Sequence, residues 1–314
     1  MKTAFSSPPV SALELFCGIG GCAAALGSDS SVAAAIDINR EAIDVYRENF
    51  SHNSLVATIE SIPVETMRSW NADLWWMSPP CQPFTRRGYG ADVDDLRSQG
   101  FLAILDRVLG LRPTHLAMEN VPEFADSRAC ELLHQLLNRL GYEFLEITLC
   151  PTEIGIPNRR RRFYLVASRQ SLKPVPRSSQ AMTPLSAYLD HEPARKLWVD
   201  PSLQSRYPHA LNIVDPAEIG AVSACFTSAY GRSPVRSGSY LQTDSGLRRF
   251  SPTEILRLLG FPDEFRLPPE LPLSTAWRLA GNSLSIPAVR SVLSVFPWFA
   301  ALQVPTSESR LAHA

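Results

Sequence analysis

The chain has 314 residues, 45% of them hydrophobic and 19% charged, with a formal net charge of -1. It is long and apolar enough for one large folded unit, or a large unit with a smaller partner, and this excludes wholesale disorder. The near-neutral balance excludes a protein that coats nucleic acid through a broad basic surface, while leaving room for a local basic site.

The opening stretch MKTAFSSPPVSALELF has one lysine and no continuous apolar run, so no secretory leader is expected. No segment approaches the roughly 18 apolar residues of a membrane span. Six cysteines (Cys17, Cys22, Cys81, Cys130, Cys150 and Cys225) include no C-x-x-C pair. A zinc ribbon is therefore unsupported, no metal is expected, and the thiols suit a reducing cytoplasm. A soluble, cytoplasmic protein is the expectation.

The apolar runs Ala12–Phe16 (ALELF) and Val32–Asp37 (VAAAID) predict buried strands, and Arg40–Phe50 has helical spacing. Asp73–Ser78 (DLWWMS) and His115–Asn120 (HLAMEN) predict further strands. Phe101–Leu111 and Ala129–Gly141 predict helices, the second stopped by Gly141. Arg161–Ser168 (RRFYLVAS) predicts one more strand. Strands alternating with helices imply a wound α/β sheet covered on both faces. From about 170 to 249 the chain is rich in Pro, Ser and Arg without sustained period, which predicts a smaller, irregular second region. Ser251–Pro262 predicts a helix capped by Ser251 or Thr253, and Pro287–Phe299 a last helix opened by Pro287. The expected division is 1–169, 170–249, and 250–314 returning to the first part, with a polar tail from Val304. No internal repeat is evident.

Two stretches carry chemistry. LELFCGIGG ends a strand in a turn with Gly18, Gly20 and Gly21, and the next strand ends in Asp37. Glycines let backbone approach a nucleoside, and an acid at that strand end accepts from ribose hydroxyls. The turn has no basic residue for a pyrophosphate, so S-adenosylmethionine suits it better than a nicotinamide dinucleotide. A tight strand–helix turn with a surface Asp remains the plain alternative. MSPPCQPFTRRG (Met77–Gly88) places Cys81 in a proline-framed turn past the fourth strand, where ligands sit in open α/β sheets. Glu119, past the fifth strand, would share that mouth. Arg86, Arg87 and the run Asn158–Arg162 (NRRRR) can supply the positive potential that activates a thiol. On a strand, Arg160 and Arg162 share one face and Arg159 and Arg161 the other. A solvated charged face is the alternative reading of that run.

In chain order, LELFCGIGG, SPPCQPFT, MENV, IPNRRRRF and LAGNSLSIPAV resemble the motifs of cytosine-5 methyltransferases over almost the whole chain outside its middle region. The resemblance implies a Rossmann-like, S-adenosylmethionine-dependent methyltransferase fold with a mixed, mostly parallel sheet and a small target-recognition domain. It implies Cys81 as the nucleophile on cytosine C6 and Glu119 on the ring N3 and exocyclic amine. Arg160 and Arg162 match the family's Q-x-R-x-R, with Asn158 in place of its glutamine. For the cofactor it points to Phe16, Gly18, Ile19, Gly20, Gly21, Asp37, Ile38, Ile59, Glu60, Pro80, Asn282 and Ser283, with Ile59 stacking on adenine and Glu60 accepting its amine. A helix-capping turn is the other reading of Gly281-Asn282-Ser283.

Thr85-Arg86-Arg87, PTEIGIPN (Pro151–Asn158) and CFTSAYGR (Cys225–Arg232) resemble the family's tRNA-methylating branch, which acts on cytosine 38 of the anticodon loop, usually of tRNA-Asp. Gln82, Thr85, Arg86, Arg87, Asn120, Cys225, Phe226 and Thr227 are the expected substrate contacts. Cys225 as a small buried hydrophobe is the alternative. Arg86, Arg87 and the run to Gly100 are expected to form a mobile loop over the substrate. The expected partner is a tRNA anticodon stem-loop, bound by a monomer. Duplex DNA is the alternative substrate; the short middle region and an unpaired loop target favour RNA.

Overall fold

The structure, a computed structural model, describes residues 10–27, 31–84, 92–175, 180–200, 202–207 and 209–299. A seven-stranded sheet carries the architecture. Its strands are β1 (Ser11–Leu15), β2 (Ser31–Asp37), β3 (Ser54–Val56), β4 (Leu74–Met77), β5 (His115–Asn120), β6 (Glu143–Leu149) and β7 (Arg162–Ser168), in the order β3-β2-β1-β4-β5-β7-β6. The pairs from β3 through β5 are parallel, whereas β7 runs antiparallel to both β5 and β6. The sheet is thus mixed and mostly parallel.

Its central strands are apolar on both sides, as a covered parallel sheet requires: every residue of β4 and β5 is buried. Alternate positions feed two cores. Ala12, Leu74, Trp76, Ala117 and Tyr164 pack under α1 (Gly21–Leu26), α2 (Arg40–Asn49) and α9 (Ile286–Leu293). Leu13, Leu15, Trp75, Met77 and Met118 pack under α3 (Val64–Ser69), α4 (Gln99–Leu111) and α5 (Arg128–Leu140). Local signals set the helix ends. Ser127 accepts from the Cys130 N–H at the start of α5, and Gly141 closes it at φ 72°. Ser251 and Glu254 form a capping box at the start of α7 (Pro252–Leu258).

The middle region is more ordered than its composition predicts. After α6 (Ser202–Arg206), β8 (Asn212–Val214) pairs parallel with β9 (Ser239–Thr243), which forms a hairpin with β10 (Gly246–Arg249). Its Phe226, Tyr230 and Leu241 join the first core, together with Phe250 just beyond it. After α8 (Leu273–Asn282), α9 packs on α1, and Arg290 Nη1 donates to the Ala25 carbonyl at 3.0 Å. The last helix ends at Leu293, short of the expected Phe299. The tail from Val304 lies outside the described residues. Among those described, no helix is long and apolar enough to cross a membrane.

Beneath the first turn, Glu14 is fully buried. Its Oε1 accepts the Cys22 N–H at 2.9 Å, and the Tyr46 hydroxyl lies 3.4 Å from its Oε2 and 2.9 Å from His52 Nδ1. Burial pushes its carboxyl from an ordinary 4.5 up to about 8. The folded state therefore holds the proton more tightly than the unfolded state. Glu14's contribution to stability is full below the ordinary value and is lost as pH rises through about 8. Denaturant midpoints of the wild type should fall between about pH 5 and pH 9. Those of Glu14→Gln should fall less; equal slopes would rule this out.

Candidate active site

β1 lies between β2 and β4, where the direction of winding reverses, and the ends of β1 and β4 flank a ligand-binding crevice. At the end of β1, Phe16, Gly18 and Gly20 have φ of 56°, 53° and 92°. This left-handed path wraps the chain round the strand end before α1. A Cβ on Gly20 would stand 2.4 Å from the Phe50 ring, so the turn tolerates no side chain there. At Gly18, among the described residues beyond its two chain neighbours, no atom lies within 4 Å of that position, which leaves an open cradle.

Asp37, at the end of β2, holds the cradle's rim. Its Oδ2 accepts the Gly18 N–H and its Oδ1 the Asn39 N–H, both at 2.8 Å. A carboxylate has about four acceptor sites, and the Ile38 N–H also acts on this one, so some capacity remains for a ribose hydroxyl. Beside it Ile38 is 67% exposed, an apolar face open to a base. Phe16 and Glu60 meet at Gly100, whose Cβ would stand 3.0 Å from the Phe16 ring and 3.6 Å from Glu60 Oε1. These groups fit a nucleoside without phosphates. Ile59 departs from expectation. It is 3% exposed and packed in the core, so Phe16 and Ile38 are the apolar surfaces available for stacking. Ile19 and Gly21 are buried in the turn, and Gly21 lies against Leu284. That approach brings the segment with Asn282, exposed, and Ser283, buried, to the back of the cradle.

Cys81 follows β4 through Ser78, Pro79 and the half-buried Pro80. The Ser78 N–H donates to the Leu15 carbonyl at 3.2 Å, and the Phe84 N–H to that of Cys81 at 3.0 Å. Gln82 is exposed on the turn. Asn120 departs from its expected substrate contact: it is buried, its Nδ2 donates to the Pro79 carbonyl at 3.3 Å, and its Oδ1 accepts the Val121 N–H at 2.8 Å. It holds the cysteine turn to the end of β5. The thiol is half-buried, and burial pushes it above its ordinary range. The Arg162 and Arg160 charges oppose that rise and Glu119 adds to it. Thr85, Arg86 and Arg87 lie outside the described residues. The described part of the expected mobile loop forms two short 3-10 turns, Asp92–Asp94 and Leu96–Ser98, leading into α4.

The reversed strand β7 explains how arginines reach this mouth. Glu119 pairs with Tyr164, so Arg162, two residues earlier on the same face, lies diagonally across from it. Arg162 Nε stands 3.1 Å from Glu119 Oε1. Its Nη2 reaches Cys225 Sγ at 3.5 Å, as does Arg160 Nη1. Burial disfavours the Cys225 thiolate, but the two guanidiniums outweigh it and hold the thiol below its ordinary range. Cys225 is thus neither a plain hydrophobe nor an open substrate contact; it lies between two cations.

Arg160 is 4% exposed, and its remaining bonds run to the carbonyls of Phe226 (3.2 Å), Gly281 (3.2 Å) and Ser283 (2.5 Å). It ties the middle region to the C-terminal segment, and its charge acts on Cys81 without its side chain being free to touch a substrate. Phe226 is also corrected. It is 3% exposed and packs edge-on to Tyr230, so it is core. Thr227 is half-buried, its carbonyl pressed so closely on Gly281 that a Cβ there would stand 2.4 Å away. Asn158 Nδ2 donates to Ser223 Oγ at 2.9 Å and to the Ala224 carbonyl at 3.1 Å, a tie between regions that its place in the motif did not suggest.

A family described as "C-5 cytosine-specific DNA methylase" matches residues 10–197 and 204–297. The chain is 31% identical to the "tRNA (cytosine(38)-C(5))-methyltransferase" of Homo sapiens over 389 residues, covering 91% of this chain and 99% of the human one. It is 31% identical to a "DNA (cytosine-5)-methyltransferase" of Dictyostelium discoideum over 352 residues, covering 90% and 93%. Among solved structures, the Dnmt2 methyltransferase of S. pombe superimposes with a TM-score of 0.80 at 29% identity, covering 91% of this chain and 97% of that one.

Proposed function

Because this chain belongs to the C-5 cytosine-specific DNA methylase family, we propose that it methylates C5 of cytosine 38 in the anticodon loop of tRNA-Asp, through a covalent bond between Cys81 Sγ and the ring C6. The observation that carries the chemistry is the meeting of Cys81, Glu119 and Arg162 beside the open cradle at Gly18. The choice of tRNA over DNA, and of cytosine 38, rests on the name of the human relative, matched over nearly its full length; tRNA-Asp rests on the motif resemblance alone.

The family and fold imply S-adenosylmethionine, which supplies an electrophilic methyl carbon when bound. Asp37 would take the ribose hydroxyls, Phe16 and Ile38 the adenine faces, and the Gly18 backbone the methionine side. C5 of cytosine is a poor nucleophile until a thiolate adds at C6. Cys81 Sγ forms that bond as its proton leaves to solvent, making C5 enamine-like. Glu119 would face the ring N3 and accept from the exocyclic amine, orienting the base, and Arg162, 3.1 Å away, holds the carboxylate in place. After the methyl group joins C5, loss of the C5 proton to solvent and of Cys81 from C6 restores the ring. The target base must leave its stack, which costs least where it is already unpaired.

The test is transfer of labelled methyl to total tRNA and to genomic DNA in parallel, with mapping of the modified base. Label at cytosine 38 of tRNA-Asp is expected. The Dictyostelium relative's name favours a second reading, duplex DNA, and label in DNA alone would establish that one instead.

A further inference from the structure

Away from this mouth, α5 and the edge strand β6 bring together three side chains of different donor type. Cys130 and His134, one helical turn apart on α5, share a face. Glu146 reaches them from β6. Cys130 Sγ lies 3.6 Å from His134 Nε2 and 3.7 Å from Glu146 Oε1, and those two atoms are 2.6 Å apart. The His134 ring stacks on Phe144 at 5.1 Å and 22°, which fixes its plane.

These distances are close to the edges of a coordination tetrahedron. With zinc–sulfur bonds of about 2.3 Å and zinc–nitrogen and zinc–oxygen bonds of about 2.0–2.1 Å, the sulfur edges are about 3.5 Å and the N···O edge about 3.3 Å. Both sulfur edges are nearly in place. The remaining edge has to open by about 0.7 Å, which asks only that one partly exposed carboxylate swing outward. The His134 and Glu146 side chains are 31% and 41% exposed, so an ion can enter from solvent, with buried Cys130 as the floor. Charge also fits. A thiolate, a carboxylate and a neutral imidazole cancel a dication, so no net charge stands beside the core.

We propose that Cys130, His134 and Glu146 form a binding site for a zinc-type, borderline-soft divalent cation, with water as the fourth ligand and with the ion clipping α5 to the sheet edge. The thiol proton passes to solvent as the sulfur binds. C-x-x-C spacing could not reveal this site, because two ligands form an i, i+4 pair on a helix and the third comes from the following strand.

The test uses the full chain, freed of metal with a chelator and titrated with Co(II), then Zn(II). One equivalent of Co(II) should bind, with visible bands of tetrahedral cobalt and a thiolate charge-transfer band, and Zn(II) should displace it. Cys130→Ser and His134→Gln should lose these bands, and Cys81→Ala should keep them. Glu146→Gln changes only an exposed carboxylate and should fold, with affinity lowered tenfold or more. Absence of saturable binding, bands that survive in Cys130→Ser, or unchanged affinity in Glu146→Gln would each overturn the proposal. None of these readouts depends on methyl transfer.

Discussion

Cys81→Ala is expected to lower methyl transfer to tRNA by roughly 10^4-fold or more, the scale on which removing a covalent nucleophile acts. It should leave S-adenosylhomocysteine affinity within about twofold, because the cradle is built from β1 and β2 and the cysteine turn follows β4. Isothermal titration and single-turnover transfer measured together would separate the two effects, and substantial activity in the variant would sink the covalent mechanism. The same residue predicts a pH profile. Burial holds its thiol above the ordinary range, so only a minor fraction is thiolate near neutrality. The single-turnover rate should therefore climb with pH through neutrality, approaching tenfold per unit. Arg162→Met removes a charge that lowers this thiol, and should move the rise to higher pH. A flat profile would mean that formation of the thiolate does not limit the reaction.

The second large effect concerns folding. Arg160→Met would leave the carbonyls of Phe226, Gly281 and Ser283 without their shared donor, and Cys225 with one cation in place of two. Hydrogen bonds to a charged group contribute about 1.5–3 kcal/mol each, and partial relaxation will recover some of that, so a net loss of about 3 kcal/mol or more is expected. Arg160→Lys should recover little, since an ammonium on a flexible stem cannot copy a planar fork that serves three carbonyls from different segments. Denaturant midpoints measure the loss. A midpoint for Arg160→Lys equal to the wild type would show that the charge alone matters.

Much of the candidate site could be picked out in the sequence because its motifs are local. Cys81 in its proline frame and the glycines after β1 are short stretches whose residue types have few other uses. The strands that carry them are short and almost wholly buried, LWWM in β4 without a polar residue and SALEL in β1 around the single buried Glu14. The stop of α5 could be read from Gly141 and the start of α7 from Ser251, since caps are written within one helical turn. β6 was not legible: in EFLEITL, charged residues interrupt the apolar pattern of an edge strand partly open to water.

The roles of Ile59, Asn120, Phe226 and Arg160 were illegible for another reason. A motif shows which residues lie near a site, but which side chain faces the ligand and which faces the core depends on packing. Ile59 turned inward while Ile38 stayed open, and Asn120 was drawn to the carbonyl of Pro79.

The sequence by itself determined the wound α/β class, the glycine turn with Asp37 at the next strand end, and the cysteine turn, because each depends on neighbours within a few residues or on one strand's pattern. Only the tertiary structure decided that β7 runs backwards between β5 and β6. That reversal puts the start of β7 at the carboxyl ends of the parallel strands. It brings Arg162 to Glu119 and Arg160 to carbonyls more than 60 residues away along the chain. Strand direction within a sheet follows from which edge remains open after the other strands have paired, and that is a property of the assembled sheet, which no single segment encodes.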